Sequence, residues 1–417
     1  MSPHQNQRRE PVPWRETLST VWQIAALCAV LCFLIEVPLA IHSAKMPLGG
    51  DMLVYKSLAT SIQSGHGFSI DGKPSADKSP GYPYMVALIW AVFGAKLLPL
   101  FLIQAFLASV KCAAVSLLAY RVTGKKPVAL LAGLAVVAYL PINIWYTQLL
   151  GEILFDTVAL ATLLSFDLAI RSRKVSAYAL AGALVGLTIY CRPNGVLFLM
   201  ILLGMALYSC MGIRRAVLAT VLAGVVASIV VLPWSIRNER AFGVFTPLPA
   251  QKGLVLWGSW KWDDIRTRRA DFVQETNKLV GYKSGYEADD ILWRQGVSDI
   301  KSSPGEYVTS VFYKTGRQWF NLFWQDQKPS RATTVLAVVN ALLLLFAVPG
   351  LWRRRIDPMF RAYTLACVIY ITAAGALFST AEVRYGFWAY PLLFILASDT
   401  VYGLWSSKVA HRRVEQS

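Results

Sequence analysis

Apolar runs long enough to cross a lipid bilayer recur through this chain, and they constrain its fold more than any other feature. A spanning helix needs about 20 predominantly apolar residues, within a range of about 17–25. Ten segments meet or approach that length: 21–43, 98–120, 127–146, 152–170, 175–191, 195–211, 216–236, 332–351, 362–380 and 385–405. Hydrophobic residues make up 55% of the chain and charged ones 16%, whereas soluble domains are roughly a quarter charged. A single soluble core is excluded. The expected fold is an all-α polytopic membrane protein of about ten transmembrane helices.

The formal charge is +17, from 41 basic and 24 acidic residues. The basic residues gather in short runs between apolar segments: Arg8-Arg9, Arg121 with Lys125-Lys126, Arg171 with Arg173-Lys174, Arg214-Arg215, Arg353-Arg354-Arg355, and Lys408 with Arg412-Arg413. This is the positive-inside pattern, which turns those loops and both termini toward the cytoplasm and onto anionic lipid headgroups. Nucleic acid is not the expected partner, because no soluble domain interleaves basic and aromatic residues. Cys28, Cys32, Cys112, Cys191, Cys210 and Cys367 lie in or at the ends of apolar runs, which suits buried free thiols better than disulfides or a zinc site. The first apolar run is too long, and lacks a small-residue cleavage site, for a removable signal peptide. It is read as a retained helix.

The apolar stretch 81–94 is short, follows Pro80 and contains Pro83. Only one crossing can separate an outer loop after Ser43 from a cytoplasmic cluster at Arg121–Lys126, and 98–120 supplies it. Residues 81–94 are therefore expected as an interfacial or re-entrant helix. The chain divides into a cytoplasmic tail (1–20), a transmembrane module (21–236) with a first outer catalytic loop (44–97), an outer loop or lid (237–331), C-terminal transmembrane helices (332–405) and a basic cytoplasmic tail (406–417). The lid segment has charges of both signs and the tryptophans Trp257, Trp260, Trp262, Trp293, Trp319 and Trp324, which suit the membrane interface. Gly182 and Gly186 have small-xxx-small spacing, a signal of close helix packing.

No Gly-rich phosphate loop, HExxH or GxSxG is present to indicate nucleotide, zinc-protease or serine-hydrolase chemistry. An outward-facing enzyme finds no nucleotide on its side of the membrane, so an activated substrate there should be carried by lipid. The first outer loop reads Gly49-Gly50-Asp51, with Tyr55 and Ala59 four and eight residues on, then Gly65-His66-Gly67-Phe68 and Asp77-Lys78-Ser79-Pro80-Gly81-Tyr82-Pro83. That spacing puts Asp51, Tyr55 and Ala59 on one face of a short helix. A carboxylate there can deprotonate an acceptor hydroxyl, a role worth roughly 10²–10⁴ in rate, and partial desolvation raises its pKa. The bland alternative is an N-cap. His66 is better read as a loop residue than a ligand. Glu36, inside the first helix, is an intramembrane carboxylate and therefore a functional suspect.

This arrangement resembles the GT-C glycosyltransferases, and more narrowly the protein O-mannosyltransferase and lipid A aminoarabinose transferase family. The likeness rests on Asp51 early in the first outer loop, the glycines at 65–67, Asp77-Lys78, and Pro80-Gly81-Tyr82-Pro83 opening a short apolar helix. Gly81 departs from the family's common Pro-Pro pair. Further matches are Glu152 after the third crossing, the Arg192-Pro193-Asn194-Gly195 turn, and Glu382-Val383-Arg384-Tyr385 before the last helix.

The resemblance implies an inverting transferase that moves a sugar from a polyprenyl-phosphate donor to a hydroxyl of a lipid, glycan or protein acceptor, outside the cytoplasm. Asp51 is then the general base. Glu152 orients the acceptor or shares a divalent cation with Asp51, the one cofactor in view; two neighbouring carboxylates permit either. Lys78, Arg192 and Arg384 would meet the donor phosphate, although each could instead snorkel to lipid headgroups. Tyr55, Asp77, Tyr82, Glu382 and Tyr385 are expected to position substrate, with Asp77 also a simple ion-pair partner for Lys78. An O-antigen ligase or polymerase is the alternative, with its basic residues drawn from Arg237, Arg240, Arg266, Arg268 and Arg269. A secondary transporter is disfavoured by unequal halves and by polar residues gathered at one face instead of the midplane.

Overall fold

Long apolar runs become helices because a backbone in hydrocarbon must satisfy its own N–H and C=O groups. The computed structural model describes residues 18–259, 272–281, 283–320, 331–379 and 381–415. Its first half contains α1 (Leu18–Ser43), α2 (Asp51–Gln63), a hairpin of β1 (Ser69–Ile70) and β2 (Lys73–Pro74), α3 (Gly81–Phe93), α4 (Leu97–Thr123), α5 (Lys126–Ala138), α6 (Leu140–Tyr146), α7 (Glu152–Ser172), α8 (Val175–Cys191), α9 (Phe198–Tyr208) and α10 (Ile213–Phe242). Then follow α11 (Lys252–Trp257), α12 (Phe272–Val280), α13 (Gly285–Ser302), α14 (Pro304–Phe320), α15 (Arg331–Gly350), α16 (Pro358–Phe378) and α17 (Tyr390–Glu415). Trp260, Trp262 and Trp324 of the expected lid, and the basic pair Arg8-Arg9, lie outside the described residues.

Six of the described helices are long and apolar enough to cross a bilayer: α1, α4, α7, α10, α15 and α16. The pair α5 and α6, bent by 58°, makes a seventh if the two form one span. Pro141 explains the bend, since proline has no N–H to return to the preceding turn. The carbonyl so released, that of Val137, accepts instead from Asn143 Nδ2 at 2.9 Å. The expected ten crossings are not all reproduced. Residues 175–191 form a helix of 17 residues. The run from 195 begins inside a 3-10 turn opened by Pro193 (Pro193–Leu197), which leaves α9 only 11 residues. The final helix starts at Tyr390, after a second 3-10 turn at Val383–Gly386. Two boundaries also move: α10 continues past Ile236 to Phe242, and α17 continues past Trp405 to Glu415.

Basic clusters assemble at one end of the bundle. Arg121 and Arg171 each approach Asp167 to 2.6 Å, Arg171 reaches Asp357 at 2.6 Å, and Lys125 reaches Asp399 at 2.6 Å. The connections that follow α1, α6 and α8, and the turn before α17, lie at the opposite end, because the intervening helices run antiparallel. Six cysteines are free thiols, four of them buried.

Helix α8 packs on α10 through its small residues. A Cβ on Gly182 would lie 2.3 Å from the Ala223 carbonyl oxygen, and one on Gly186 would lie 2.6 Å from Val230 Cβ. Replacing Gly182 with Leu should therefore push the helices apart and destabilise the bundle by about 1–3 kcal/mol. Thermal unfolding in detergent is expected to begin at a lower temperature; an unchanged transition would refute this close packing.

The first connection between α1 and α4 carries most of the expected chemistry. Its hairpin pairs Ile70 with Lys73 around Asp71-Gly72, both with positive φ (51° and 74°), the backbone that a tight two-residue hairpin loop demands. Helix α3 has 13 residues, about 20 Å at the usual rise, too short for a bilayer core of about 30 Å. Tyr82, Val86, Ile89 and Trp90 are buried on one side, whereas Leu88 and Val92 are exposed on another. The interfacial reading of this segment suits that two-sidedness.

Candidate active site

Asp51 is the first residue of α2, and the N-cap position falls to Gly50, at φ 53° and ψ −129°. The carboxylate instead accepts from Lys78 Nζ at 2.8 Å. Lys78 sits in the turn before α3, and its ammonium also lies 5.7 Å from the centre of the Tyr55 ring, one helical turn beyond Asp51. Tyr55 meets Tyr82 edge to face at 5.1 Å. The Tyr82 hydroxyl donates to Gln104 Oε1 at 2.9 Å, and Gln104 Nε2 donates to the carbonyls of Tyr146 and Gln148 at 2.5 and 2.9 Å. Gln104 thus joins α3, α4 and the turn that leads into α7.

Glu152 opens α7 and is buried. Its Oε1 lies 2.9 Å from Arg192 Nη2 and 3.3 Å from Arg384 Nη1. Arg192 follows the last residue of α8, whose continuation Pro193 prevents. Arg384 belongs to the 3-10 turn ahead of α17. Its Nε donates to Glu382 Oε2 at 2.5 Å, and its Nη2 lies 3.9 Å from Asp51 Oδ2. One guanidinium therefore joins the two candidate catalytic carboxylates. Arg192 and Arg384 lie 5.5 and 5.2 Å from the Tyr385 ring centre, and Arg384 lies 4.8 Å from that of Trp145. Aromatic faces suit planar guanidinium groups and exclude water from their flanks.

Partial burial pushes the Asp51 carboxyl up, but Lys78, then Arg384 and Arg192, outweigh it and hold the group below the usual carboxylate range. This corrects the expectation that desolvation would prevail. Burial, then the charge of Glu152, pushes the Tyr55 phenol well above its ordinary value. Burial likewise raises Tyr82. Both phenols remain protonated near neutral pH. Burial acts to weaken the Arg384 guanidinium, yet Tyr385, Glu382 and Glu152 outweigh it. Asp51, Glu152 and Glu382 balance Lys78, Arg192 and Arg384 in formal charge.

Asp51, Tyr55, Lys78, Tyr82, Glu152, Arg192, Glu382, Arg384 and Tyr385 are therefore brought to one place. Asp77 is not: it is exposed and makes no ion pair among the described residues, since Lys78 turns to Asp51. His66 is exposed. Glu36 is buried, and its carboxylate oxygens have no hydrogen-bond partner. Of the late arginines, Arg237 donates to the carbonyls of Phe68 and Ser75 at 2.7 and 2.8 Å, a structural clamp on the hairpin. Arg240 is exposed; Arg266, Arg268 and Arg269 lie outside the described residues.

Sequence reasoning missed Gln104, Trp145 and a buried group one turn along α7 from Glu152. There Asp156 Oδ2 accepts from the Tyr146 hydroxyl and lies 3.5 Å from Lys111 Nζ. The four-residue spacing of Glu152 and Asp156, and the rarity of charge inside membrane helices, were available signals.

Among the described residues no three His, Cys, Asp or Glu side chains group to hold a metal ion. Asp51 and Glu152 are joined through a cationic side chain, and each already faces further basic groups. This donor set does not fit a divalent cation as arranged.

The chain resembles the GT-C membrane glycosyltransferases in sequence and in fold. Residues 77–236 match the model of the family described as dolichyl-phosphate-mannose-protein mannosyltransferase. The fold is similar to the oligosaccharyltransferase of Archaeoglobus fulgidus, solved with a tethered acceptor peptide, with a TM-score of 0.55 and 15% identity over 93% of this chain. The chain spans about half of that protein, 50% of its length. ArnT from Cupriavidus metallidurans, solved with undecaprenyl phosphate, aligns at a TM-score of 0.43 and 16% identity, over 93% of this chain and 78% of ArnT. No curated protein sequence matches the chain.

Proposed function

We propose that this chain is a glycosyltransferase that moves a sugar from a polyprenyl-phosphate donor to a hydroxyl of a lipid, glycan or protein acceptor on the non-cytoplasmic face. The observation that carries the reading is the Arg384 bridge between Asp51 and Glu152, with Lys78 and Arg192 beside them. The end of the bundle opposite the basic clusters is the outer end by the positive-inside rule. The solved neighbours hold an acceptor peptide and undecaprenyl phosphate, ligands of the two kinds this reaction needs.

In this reading the acceptor oxygen attacks the anomeric carbon as the bond from that carbon to the phosphate oxygen breaks. Asp51 takes the hydroxyl proton, and polyprenyl phosphate leaves with the bonding electrons. Lys78, Arg192 and Arg384 balance the charge that gathers on the departing phosphate. Drawing Lys78 and Arg384 toward the phosphate also frees Asp51 from their fields, so donor binding raises the basicity of the proton acceptor. Glu152 orients the guanidinium groups and faces the acceptor. Tyr55 and Tyr82 shape the wall between the loop helices, and Glu382 and Tyr385 hold Arg384.

Deletion of the gene tests the reaction. Thin-layer analysis of membrane lipids should reveal an accumulated sugar-phosphate prenyl lipid and an acceptor that lacks one sugar. An unchanged lipid profile would overturn the proposal.

A pH prediction follows from Lys78. Because Asp51 is held below the ordinary range near 3.9, it is ionised at neutral pH, and its contribution to stability is lost only as pH falls through that depressed value. Lys78→Met removes the nearest opposing charge and leaves the effect of burial. The acid limb of the kcat/KM profile, which reports the free enzyme, should move to higher pH. A limb at the wild-type position would show that Asp51 is not the titrating base.

A further inference from the structure

Helix α14 belongs to the segment expected as an outer lid, and its two sides are reversed from those of a helix on a soluble domain. Ser310, Lys314, Arg317 and Gln318, which share one face by their spacing of three and four residues, are buried. Val308 and Phe312 are exposed. Cations inward and apolar groups outward is the pattern of a helix with acyl chains on one side and a polar interior on the other. The helix descends along α16 from the outer end of the bundle. The Tyr307 hydroxyl donates to the Leu377 carbonyl at 2.9 Å, Gln318 Nε2 to that of Ile371 at 3.1 Å, and Trp319 Nε1 to Thr372 Oγ1 at 2.9 Å. The same layer of α16 reaches the ion-pair cluster. The Tyr370 hydroxyl donates at 3.2 Å to the carbonyl of Asn194, two residues after Arg192. Ile371 borders Gly386, two residues after Arg384: a Cβ on that glycine would lie 3.6 Å from Ile371 Cγ2. Helix α14 also packs directly on the turn Val383–Gly386.

Lys314 stands one turn outward of Gln318. Its side chain is fully buried, and its ammonium lies 5.7 Å from the ring centre of Tyr307, two turns nearer the outer end. Among the described residues that ammonium makes no hydrogen bond and no ion pair. Burial pushes it down to about 8, which leaves it mostly charged at neutral pH. An unpaired buried charge is costly, and in a membrane protein it marks a substrate path by default. The ion-pair cluster nearby lacks such a free charge. Its cations Lys78, Arg192 and Arg384 are already matched by Asp51, Glu152 and Glu382. In the proposed reaction the donor phosphodiester starts with a single negative charge. When the bond from the anomeric carbon to the phosphate oxygen breaks, the phosphate keeps the electron pair and the acceptor proton goes to Asp51. The departing monoester then carries roughly two negative charges, one more than the donor brought.

We infer that Lys314 answers this added charge: it is a phosphate-binding residue, placed behind the turn of Arg384, that favours the departing prenyl phosphate over the intact donor. The assignment rests on the glycosyltransferase reading. The lysine stem is flexible, so the ammonium can swing along α14 toward the outer end, where the phosphate forms. Charge met only as it develops lowers the barrier instead of deepening donor binding.

Binding of radiolabelled undecaprenyl phosphate to the full chain in phosphatidylcholine nanodiscs tests this. Lys314→Met should weaken binding about 10–100-fold, the range for one lost contact to a charged group. It should also lower kcat, with little change in the KM for the sugar-bearing donor. Lys314→Arg keeps the charge and should retain most of the binding. Without ligand, Lys314→Met should unfold at no lower temperature than wild type, because it removes an unpaired buried charge. A lower unfolding temperature would reveal a structural role and overturn the assignment. Discs of phosphatidylglycerol supply the other source of lipid phosphate. If Lys314→Met removes stabilisation by phosphatidylglycerol and leaves undecaprenyl phosphate binding intact, the residue serves a bulk headgroup and the substrate assignment is overturned. Binding that survives in Lys314→Met but is lost in Arg384→Met overturns the role of Lys314 and leaves the donor reading standing. Absence of undecaprenyl phosphate binding by the wild type overturns both.

Discussion

Asp51→Asn should reduce sugar transfer by roughly 10²–10⁴-fold, the usual contribution of a positioned general base. The substitution keeps the size of the side chain and its place at the start of α2, but removes the proposed proton acceptor. The loss should fall on kcat, with little change in the KM for the donor, because the proposed mechanism gives the phosphate contacts to Lys78, Arg192 and Arg384. A purely structural role would behave differently. Asp51 would then matter as the anchor of Lys78, at 2.8 Å, and Asn, which keeps an oxygen acceptor, would preserve most of the rate. Asp51→Glu separates these cases further, since it keeps a base and should recover part of kcat. Steady-state kinetics on purified, monodisperse variants provide the measurement. Wild-type turnover by Asp51→Asn would remove Asp51 from the chemistry.

Arg384→Met is expected to cost about 10²–10³-fold in turnover, comparable to removal of one preorganised donor to a developing oxyanion. It differs from the first case in its signature. Arg384 meets Glu382, Glu152 and Asp51 together, so its loss should raise the donor KM as well as lower kcat. Arg384→Lys retains charge without the planar fork, and should recover only part of the loss. Equal rescue by Lys would mean that charge alone matters at this position. Wild-type kinetics in Arg384→Met would overturn its role in phosphate binding.

The sequence made the membrane class plain, because apolar runs need no tertiary contact to be recognised. The residues of the ion-pair cluster were also visible as separate motifs in a shared order. What could not be read was their pairing. Lys78 stands beside Asp77 in sequence but pairs with Asp51, because the turn into α3 brings it back across the start of α2. Arg384 meets Asp51 only because the turn before α17, packed on α14 and α16, carries it to the start of α7. The ten-crossing count was vulnerable for a related reason. Mean apolarity does not show that Pro141 bends one helix or that a 3-10 turn running to Leu197 shortens another. Gln104 was overlooked as one polar residue in an apolar run, although its amide knits three elements together.

The two-sidedness of α3 has a kinetic consequence. Leu88 and Val92 offer it to acyl chains, while Tyr82 on the same helix is fastened through Gln104 to the turn that presents Glu152. On the interfacial reading of α3, the candidate site is thereby moored at a fixed depth near the boundary of the bilayer. A prenyl-borne donor of the proposed kind would then arrive by lateral diffusion within the leaflet, and turnover would follow its surface density there instead of its amount per volume of solution. Diluting the donor with inert lipid should slow the encounter even when the vessel contains the same number of molecules.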